Sequence, residues 1–348
     1  MQVRRFTEPA ELARLASAWD ELVTAADGPV LARPTWCLPW VHHRLGPAAP
    51  EVTTVWEGSE LVALAPLQRR RLGPVEVVRF LGHGMGTTST LVVRPGFGEA
   101  GVRLWAAVSK GPGRVVHLVE HTGPTLGFTR GAAARHVEVT ERDRCVVIDT
   151  AGGHAAYLAG RSKKLRENLR RARRSAEAAG GWTVEVVEDL DRLAAVRTEL
   201  VGVHDAAEAV EPRLHPWRGD VAPFTDAVLD GAARSGSLRV FVGRVGGEAA
   251  AVGIAFSVGT TLSFWSTRCD PAHAPSSVGT LLLDAVVAHG FEAGHERVDL
   301  LLGDGEHKRR WATGTYPTHT VLAARTRSAL AVSRAVLHRR ESRLAPVG

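Results

Sequence analysis

Several things are scarce in this 348-residue chain, and each absence narrows the reading. Cysteine occurs three times, at Cys37, Cys145 and Cys269, with no CxxC spacing and no histidine at metal-ligand distance along the chain. That argues against a disulfide framework and against a structural zinc site, and fits a reducing compartment. Aromatic residues make up only 6%, with two tyrosines. No aromatic interleaves the arginine-rich stretches, as an RNA-stacking platform would require. No apolar run reaches the 18 or so residues that span a bilayer, and MQVRRFTEPAELARL lacks a signal-peptide core. A cytoplasmic protein without a bound metal or a membrane span is expected.

Positive charge and length, by contrast, are plentiful. The formal charge is +6 and the pI about 9.8, which points to an anionic partner of some kind: a phosphate-bearing cofactor, nucleic acid or an acidic substrate. Hydrophobic residues at 45% and charged residues at 23% describe a globular chain with room for two domains. The charge is concentrated in RSKKLRENLRRARR, residues 161–174, where eight Lys/Arg stand against Glu167 alone. At helical spacing Leu165, Leu169, Ala172 and Ala176 form a narrow apolar seam, with Ser162 as N-cap and Gly180-Gly181 as stop. Such a helix docks by its seam; Arg166 and Arg170 share a face and are candidates for holding a phosphate.

Either side of this helix the chain repeats one order of elements. Residues 8–24 and a segment after Pro34 read as helices. Val52–Trp56 and Leu61–Arg69 read as a hairpin, Val75–Leu81 as a strand, 101–110 as a helix and Val115–Glu120 as a buried strand. After the basic helix come helices at Leu190–Val203 and Pro223–Ala233. A three-strand meander follows (Leu238–Val245, Ala249–Val258, Thr261–Arg268), then a helix at Ser277–Gly294 and a strand at Val298–Leu302. WEGSELVALAPL in the first half parallels RVGGEAAAVGIAF in the second, as duplication of a whole domain would leave it. The expected class is α+β with a mixed, mostly antiparallel sheet in each half. The expected domains are residues 1–150, residues 151–325 containing the basic helix, and a terminal basic helix over 326–348 that returns to the first half.

The chemistry-bearing segment is 261–314. A strand–helix–strand crossover there sets the helix start, Ser277-Val278-Gly279-Thr280, beside the end of the preceding strand, where free N–H groups and the helix dipole attract an anion. At the end of strand 298–302 stand Asp304, Glu306, His307 and Lys308. The acids and the imidazole are suited to take a proton from an amine, and the ammonium to steady an oxyanion; a solvated polar turn would have the same composition. Gly82-x-Gly84-x-Gly86 lacks the β–α–β setting of a dinucleotide loop.

Three segments taken in order, SKKLRENLRRARR, VGTLLLDAVVAHGFEAG and VDLLLGDGEHKRRWA, resemble the GNAT-fold acyltransferases of the CelD-like and BioF2-like group. That group is similar in turn to the Fem aminoacyl transferases, which carry two GNAT domains in tandem. The resemblance implies two tandem GNAT-like domains and transfer of an acyl group, usually acetyl from acetyl-CoA, to an amine of a small molecule, amino sugar or peptide. It implies donor pyrophosphate on Val278, Gly279, Thr280 and Leu281, and the acyl carbonyl against the strand at Phe264, Trp265 and Ser266. It implies a donor-site lysine at Lys308, within the His307–Trp311 run. Arg268, with Trp217 in the polar 208–223 loop, is assigned to the acceptor side by the same analogy. A Fem-like enzyme would instead take aminoacyl-tRNA as donor, which the basic helix favours. A non-catalytic binding scaffold is the third reading, since Val278 and His307 stand where the family has Pro and Tyr.

Overall fold

A computed structural model describes residues 1–73, 75–123, 125–129 and 136–331. The chain divides into two compact units, residues 1–143 with 317–348, and residues 144–316. Of the expected terminal helix only the first turn, from residue 327, is described; the remainder lies outside the described residues.

The first unit begins with β1 (Gln2–Phe6), α1 (Pro9–Ala25) and α2 (Pro34–His43), followed by β2 (Ala49–Glu57), β3 (Glu60–Leu72) and β4 (Val75–Phe80). After these come β5 (Val92–Val93), α3 (Gly98–Ser109), β6 (Arg114–His121) and the short α4 (Leu126–Thr129). Strands β1 to β4 pair antiparallel in sequence order, and β4 pairs parallel with β6 across α3. The β2–β3 connection is a two-residue turn with Gly58 at φ +59°, where a left-handed conformation is needed to match the twist of the strands. Trp105, Leu104 and Val108 of α3 close one core with Leu67, Phe80 and Leu118. An ion network ties the strands to one another: the Arg114 guanidinium engages Glu51 and Glu76, and Glu51 also faces Arg5 and Arg69. Arg114 and Glu51 are both almost fully buried, so removing either partner alone would strand a charge.

The second unit contains β7 (His136–Asp149, from residue 144 onward), α5 (His154–Ala159), α6 (Lys163–Ala178), β8 (Trp182–Val187), α7 (Leu190–Glu208) and α8 (Ala222–Arg234). It continues with β9 (Leu238–Val245), β10 (Glu248–Val258), β11 (Thr261–Cys269), α9 (Val278–Glu292), β12 (Arg297–Leu302) and α10 (Glu306–Arg309). The strand order is β7-β12-β11-β10-β9-β8, with β11 and β12 parallel and every other pair antiparallel. Gly246 and Gly247, both at positive φ, form the two-residue β9–β10 turn. The last strand, β13 (Gly314–Ala324), leaves this unit and pairs antiparallel with β6 of the first through residues 319–324. β1, β5 and β13 have no counterpart in the periodicity. β13 carries Pro317 within it, which normally marks a non-strand, and β1 is exposed nearly throughout.

The basic helix is built as its seam requires. The Ser162 hydroxyl accepts a hydrogen bond from the Leu165 amide at 3.2 Å, capping α6. Leu165, Leu169, Ala172 and Ala176 are buried in one core with Leu281, Leu282 and Val286 of α9. Burial of this seam, not the arginines, holds the helix in place. Leu169→Ala is therefore expected to lower unfolding free energy by about 2–5 kcal/mol. Arg171→Ala, which removes only a contact to Asn168 on the same helix, should change it by less than about 0.5 kcal/mol. Urea denaturation of the two variants checks this, and equal losses would show that the seam does not anchor the helix.

Candidate functional site

β11 and β12 lie side by side but stay paired for only three residues, Thr261↔Arg297, Leu262↔Val298 and Ser263↔Asp299. Each strand then bulges on its outer neighbour. Along β10 the partners of Ile254 and Ala255 are Ser266 and Phe264, which leaves Trp265 as the extra residue. Along β7 the register jumps between Asp299 and Leu302, and Leu301 adopts φ +55°. A buried leucine in the left-handed region is strained, and bulges of this kind bend a strand out of its sheet. The strain is held by Asp299: one carboxylate oxygen accepts from the Leu301 amide at 2.8 Å, the other from the Tyr316 hydroxyl at 2.5 Å. Burial raises the Asp299 pKa above the usual carboxylate value, against the lowering effect of these two bonds.

Where the strands part there is a cavity of about 400 Å³. Phe264, Thr267 and Cys269 of β11 line one side and Leu300 of β12 the other. Ser277, Gly279, Thr280 and Leu283 bring in the start of α9, and His307, Lys308 and Trp311 close the end. The α9 start suits an anion. Ser277 sits at φ +50° and caps no amide with its side chain; the Thr280 amide donates to the Ser277 carbonyl at 2.9 Å, which leaves the Val278 and Gly279 amides at the start of a 15-residue helix without a side-chain cap. Gly279 is required for close packing, since a Cβ there would lie 3.0 Å from the Cys269 sulfur. Phe264 likewise depends on Gly253, where a Cβ would come within 2.7 Å of its ring.

The sequence-derived site residues divide on this geometry. Gly279, Thr280, His307 and Lys308 converge on the cavity. Val278 and Leu281 contribute backbone only, their side chains lying in the core beneath. Trp265 and Ser266 do not line it: the bulge reverses the alternation of β11, so that Thr267 and Cys269 share the face of Phe264. Thr267 and Cys269 were missed for that reason, and no residue pattern in the strand announces the bulge. Asp304 lies in the turn after β12, and Glu306 is exposed and bound to Arg310 at 2.5 Å; neither lines the cavity.

Lys308 is held by the strand end itself. Its Nζ donates to the carbonyls of Leu300 at 2.7 Å and Leu302 at 2.6 Å, satisfying acceptors that the departure of β11 leaves behind. Partial burial, then the neighbouring Lys308 and Arg213, lower the His307 pKa, so its imidazole is neutral at pH 7 and able to accept a proton. Arg213 and Glu211, whose charges act on His307, bring the segment between α7 and α8 to this region. Trp217 in that segment is a fixed wall: it is buried, its ring 5.0 Å from His204, and its Nε1 donates to Asp226 at 3.1 Å. Arg268 is buried and directed to Glu208 of α7, 3.8 Å away. Arg166 donates to the carbonyls of Ala159 and Arg161, whereas Arg170 is exposed. None of these four lines the cavity. Among the described residues no cluster of His, Cys, Asp or Glu is disposed to hold a metal, and no helix is long and apolar enough to cross a membrane.

Residues 163–309 match the family of acetyltransferase (GNAT) domains. The whole chain is similar in fold to the C-terminal domain of a putative lysylphosphatidylglycerol synthetase from Agrobacterium fabrum, at 17% identity and a TM-score of 0.62 over 95% of this chain and 97% of that one. It is also similar to FemX, at 11% identity and 0.64 over 93% and 98%. The L-PGS of Bacillus licheniformis is similar at 15% and 0.59 over 94% and 96%. No curated protein matches the sequence. At these identities the likenesses establish the fold.

The Lys308 geometry gives an expectation that needs no substrate. Lys308→Met removes both donors from the Leu300 and Leu302 carbonyls and is expected to cost about 1–3 kcal/mol of stability. Chemical denaturation measures it, and an unchanged midpoint would show that the ammonium does not hold the strand end.

Proposed function

We propose, from the match of residues 163–309 to the acetyltransferase (GNAT) domain family, that this chain is an N-acyltransferase that takes its acyl group from an acyl-CoA, acetyl-CoA foremost, and passes it to an amine. The observation that carries the reading is the cavity opened where β11 and β12 stop pairing, directly beside the uncapped start of α9. The pyrophosphate of the donor would rest on the amides at Val278 and Gly279, the Thr280 amide being taken by the Ser277 carbonyl at 2.9 Å. The pantetheine arm and thioester would lie between Phe264 and Leu300, with strand amides of β11 released by the loss of pairing turned to the carbonyl oxygen.

Both substrates are bound together in this mechanism. The amine nitrogen attacks the thioester carbonyl, a tetrahedral oxyanion forms, and the C–S bond breaks to release the CoA thiolate. The attacking nitrogen gives up one proton. Of the three candidate bases, His307 alone lines the cavity and is neutral at pH 7, so it is assigned that proton, which then passes to the thiolate. Lys308 keeps the end of β12 in place and sets a positive charge near the developing oxyanion. The acceptor, whether a small amine, an amino sugar or a peptide, would enter past the segment carrying Glu211 and Arg213.

A second reading is favoured by a separate observation. Lys164, Arg170, Arg171 and Arg174 are exposed along α6, and the fold is similar to that of FemX; on this reading, which follows the resemblance to the Fem aminoacyl transferases, the donor is an aminoacyl-tRNA. Calorimetric titration with acetyl-CoA separates the two. Saturable binding that varies little between low and moderate salt supports acyl-CoA; no binding at millimolar CoA, with tRNA binding that weakens steeply with salt, supports the alternative.

The base assignment has its own signature. The lowered His307 pKa places its protonation below the usual value of 6.5. kcat/KM is therefore expected to hold as pH falls toward neutrality and to drop only below that value, as the imidazole takes up a proton. His307→Gln should lower kcat by about 10²–10⁴-fold and abolish that limb. An unchanged pH profile in the variant would remove His307 from the role.

A further inference from the structure

The first unit repeats the parting of two parallel strands but does not leave the gap open. β4 and β6 pair only from Glu76↔Arg114 to Val78↔Val116, and β6 continues to His121. There His121 pairs on one edge with His319 of β13. His121 also forms a parallel bridge with Ser89. A strand residue takes one partner on each edge, so Ser89 lies on the edge that β4 has left. The Ser89 amide donates to the Glu120 carbonyl, and the Thr122 amide to the Ser89 carbonyl, both at 3.1 Å. Backbone groups that a parted strand exposes are here met by the chain itself.

Side chains seat this segment. Thr87, Thr88, Ser89, Thr90 and Leu91 are all buried. Thr90 Oγ1 donates to the Thr122 carbonyl at 2.8 Å and lies 2.8 Å from the Thr125 hydroxyl. Leu91 enters the core with Phe80 and Leu104, and the His121 ring meets Phe80 edge-on at 5.6 Å. Gly82, Gly84 and Gly86, at φ +75°, +83° and +74°, let the chain coil between the end of β4 and that edge. The glycine-rich stretch that fits no dinucleotide loop is thus the turn that delivers the segment.

The helix start is covered as well. In the second unit the first turn of α9 opens into the cavity. In the first, Phe128 of α4 lies against the first turn of α3: a Cβ at Gly101 would come within 2.5 Å of its ring, and one at Gly98 within 3.9 Å. Glu99 adds a carboxylate to the same turn, where a phosphate would meet like charge.

We infer that the slot assigned to the acyl donor in the second unit is filled in the first by residues 87–91 and covered by Phe128, so that the chain carries a single donor site. The count of one rests on the acyl-CoA reading of the second unit; the filled slot rests on the first unit's own bonds.

Hydrogen exchange resolved to single amides, on the full chain with and without saturating acetyl-CoA, reads the slot, and calorimetry with acetyl-CoA reads the count. The Ser89 and Thr122 amides are expected to exchange about a hundredfold or more slower than in an unfolded chain, equally with and without acetyl-CoA, while one equivalent binds. Phe128→Ala, which uncovers α3 but leaves the strand edge filled, is expected to keep the count at one. Fast exchange of Ser89 and Thr122 in the free protein, a change in their exchange on adding acetyl-CoA, or a second equivalent bound by either protein overturns the inference. Slow exchange of both amides with no acetyl-CoA bound supports the filled slot and removes the acyl-CoA reading of the second unit.

Discussion

The parting of β11 from β12 after three paired residues is the constraint on which the rest of the second unit depends. Two parallel strands that stop pairing expose amides and carbonyls that must be met by something else. Here the carbonyls of β12 are met by the Lys308 ammonium, and the bend itself is held by Asp299, whose two oxygens take the Leu301 amide and the Tyr316 hydroxyl. The core beneath accommodates the separation through glycines: Gly253 makes room for Phe264, and Gly290 avoids an overlap with Val298. The cavity is thus an interruption of the sheet maintained by specific bonds, and the start of α9 opens into it.

The first unit follows the same grammar. β4 and β6 pair in parallel for three residues, Glu76↔Arg114 to Val78↔Val116, across the helix α3. β6 then carries Glu120 at φ +59°, as β12 carries Leu301 at +55°. Burial raises the Glu120 pKa to about 7, a carboxyl kept largely out of water at the corresponding bend. The chemical furnishing differs, however. The second unit surrounds its parting with an uncapped helix start, a neutral imidazole and an ammonium. The first instead lines the space between α2 and its strands with Arg44, Arg70 and Arg79.

Much of this was legible from residue spacing. The seam of α6 is buried at all four positions that the periodicity selects, and its cap is Ser162. The crossover helix and the polar turn after β12 were also readable, because apolar period and helix-start chemistry are local. What escaped is non-local. An alternation rule applied to β11 puts Ser266 beside Phe264; the bulge at Trp265, set by pairing with β10, puts Thr267 and Cys269 there. Arg166 and Arg268 read as free cations in one dimension, yet one is spent on the carbonyls before α6 and the other is turned to Glu208. β13 hid behind Pro317, and the resemblance to GNAT acyltransferases drew attention to α9 without revealing which of its side chains face the cavity.

The central claim is that the acyl donor occupies the gap between β11 and β12. A crystal structure of the protein with a non-hydrolysable acyl-CoA analogue tests this most directly. The acyl carbonyl is expected between Phe264 and Leu300, with the pyrophosphate on the amides at Val278 and Gly279. An analogue bound with that gap empty, or bound in the first unit, would contradict it.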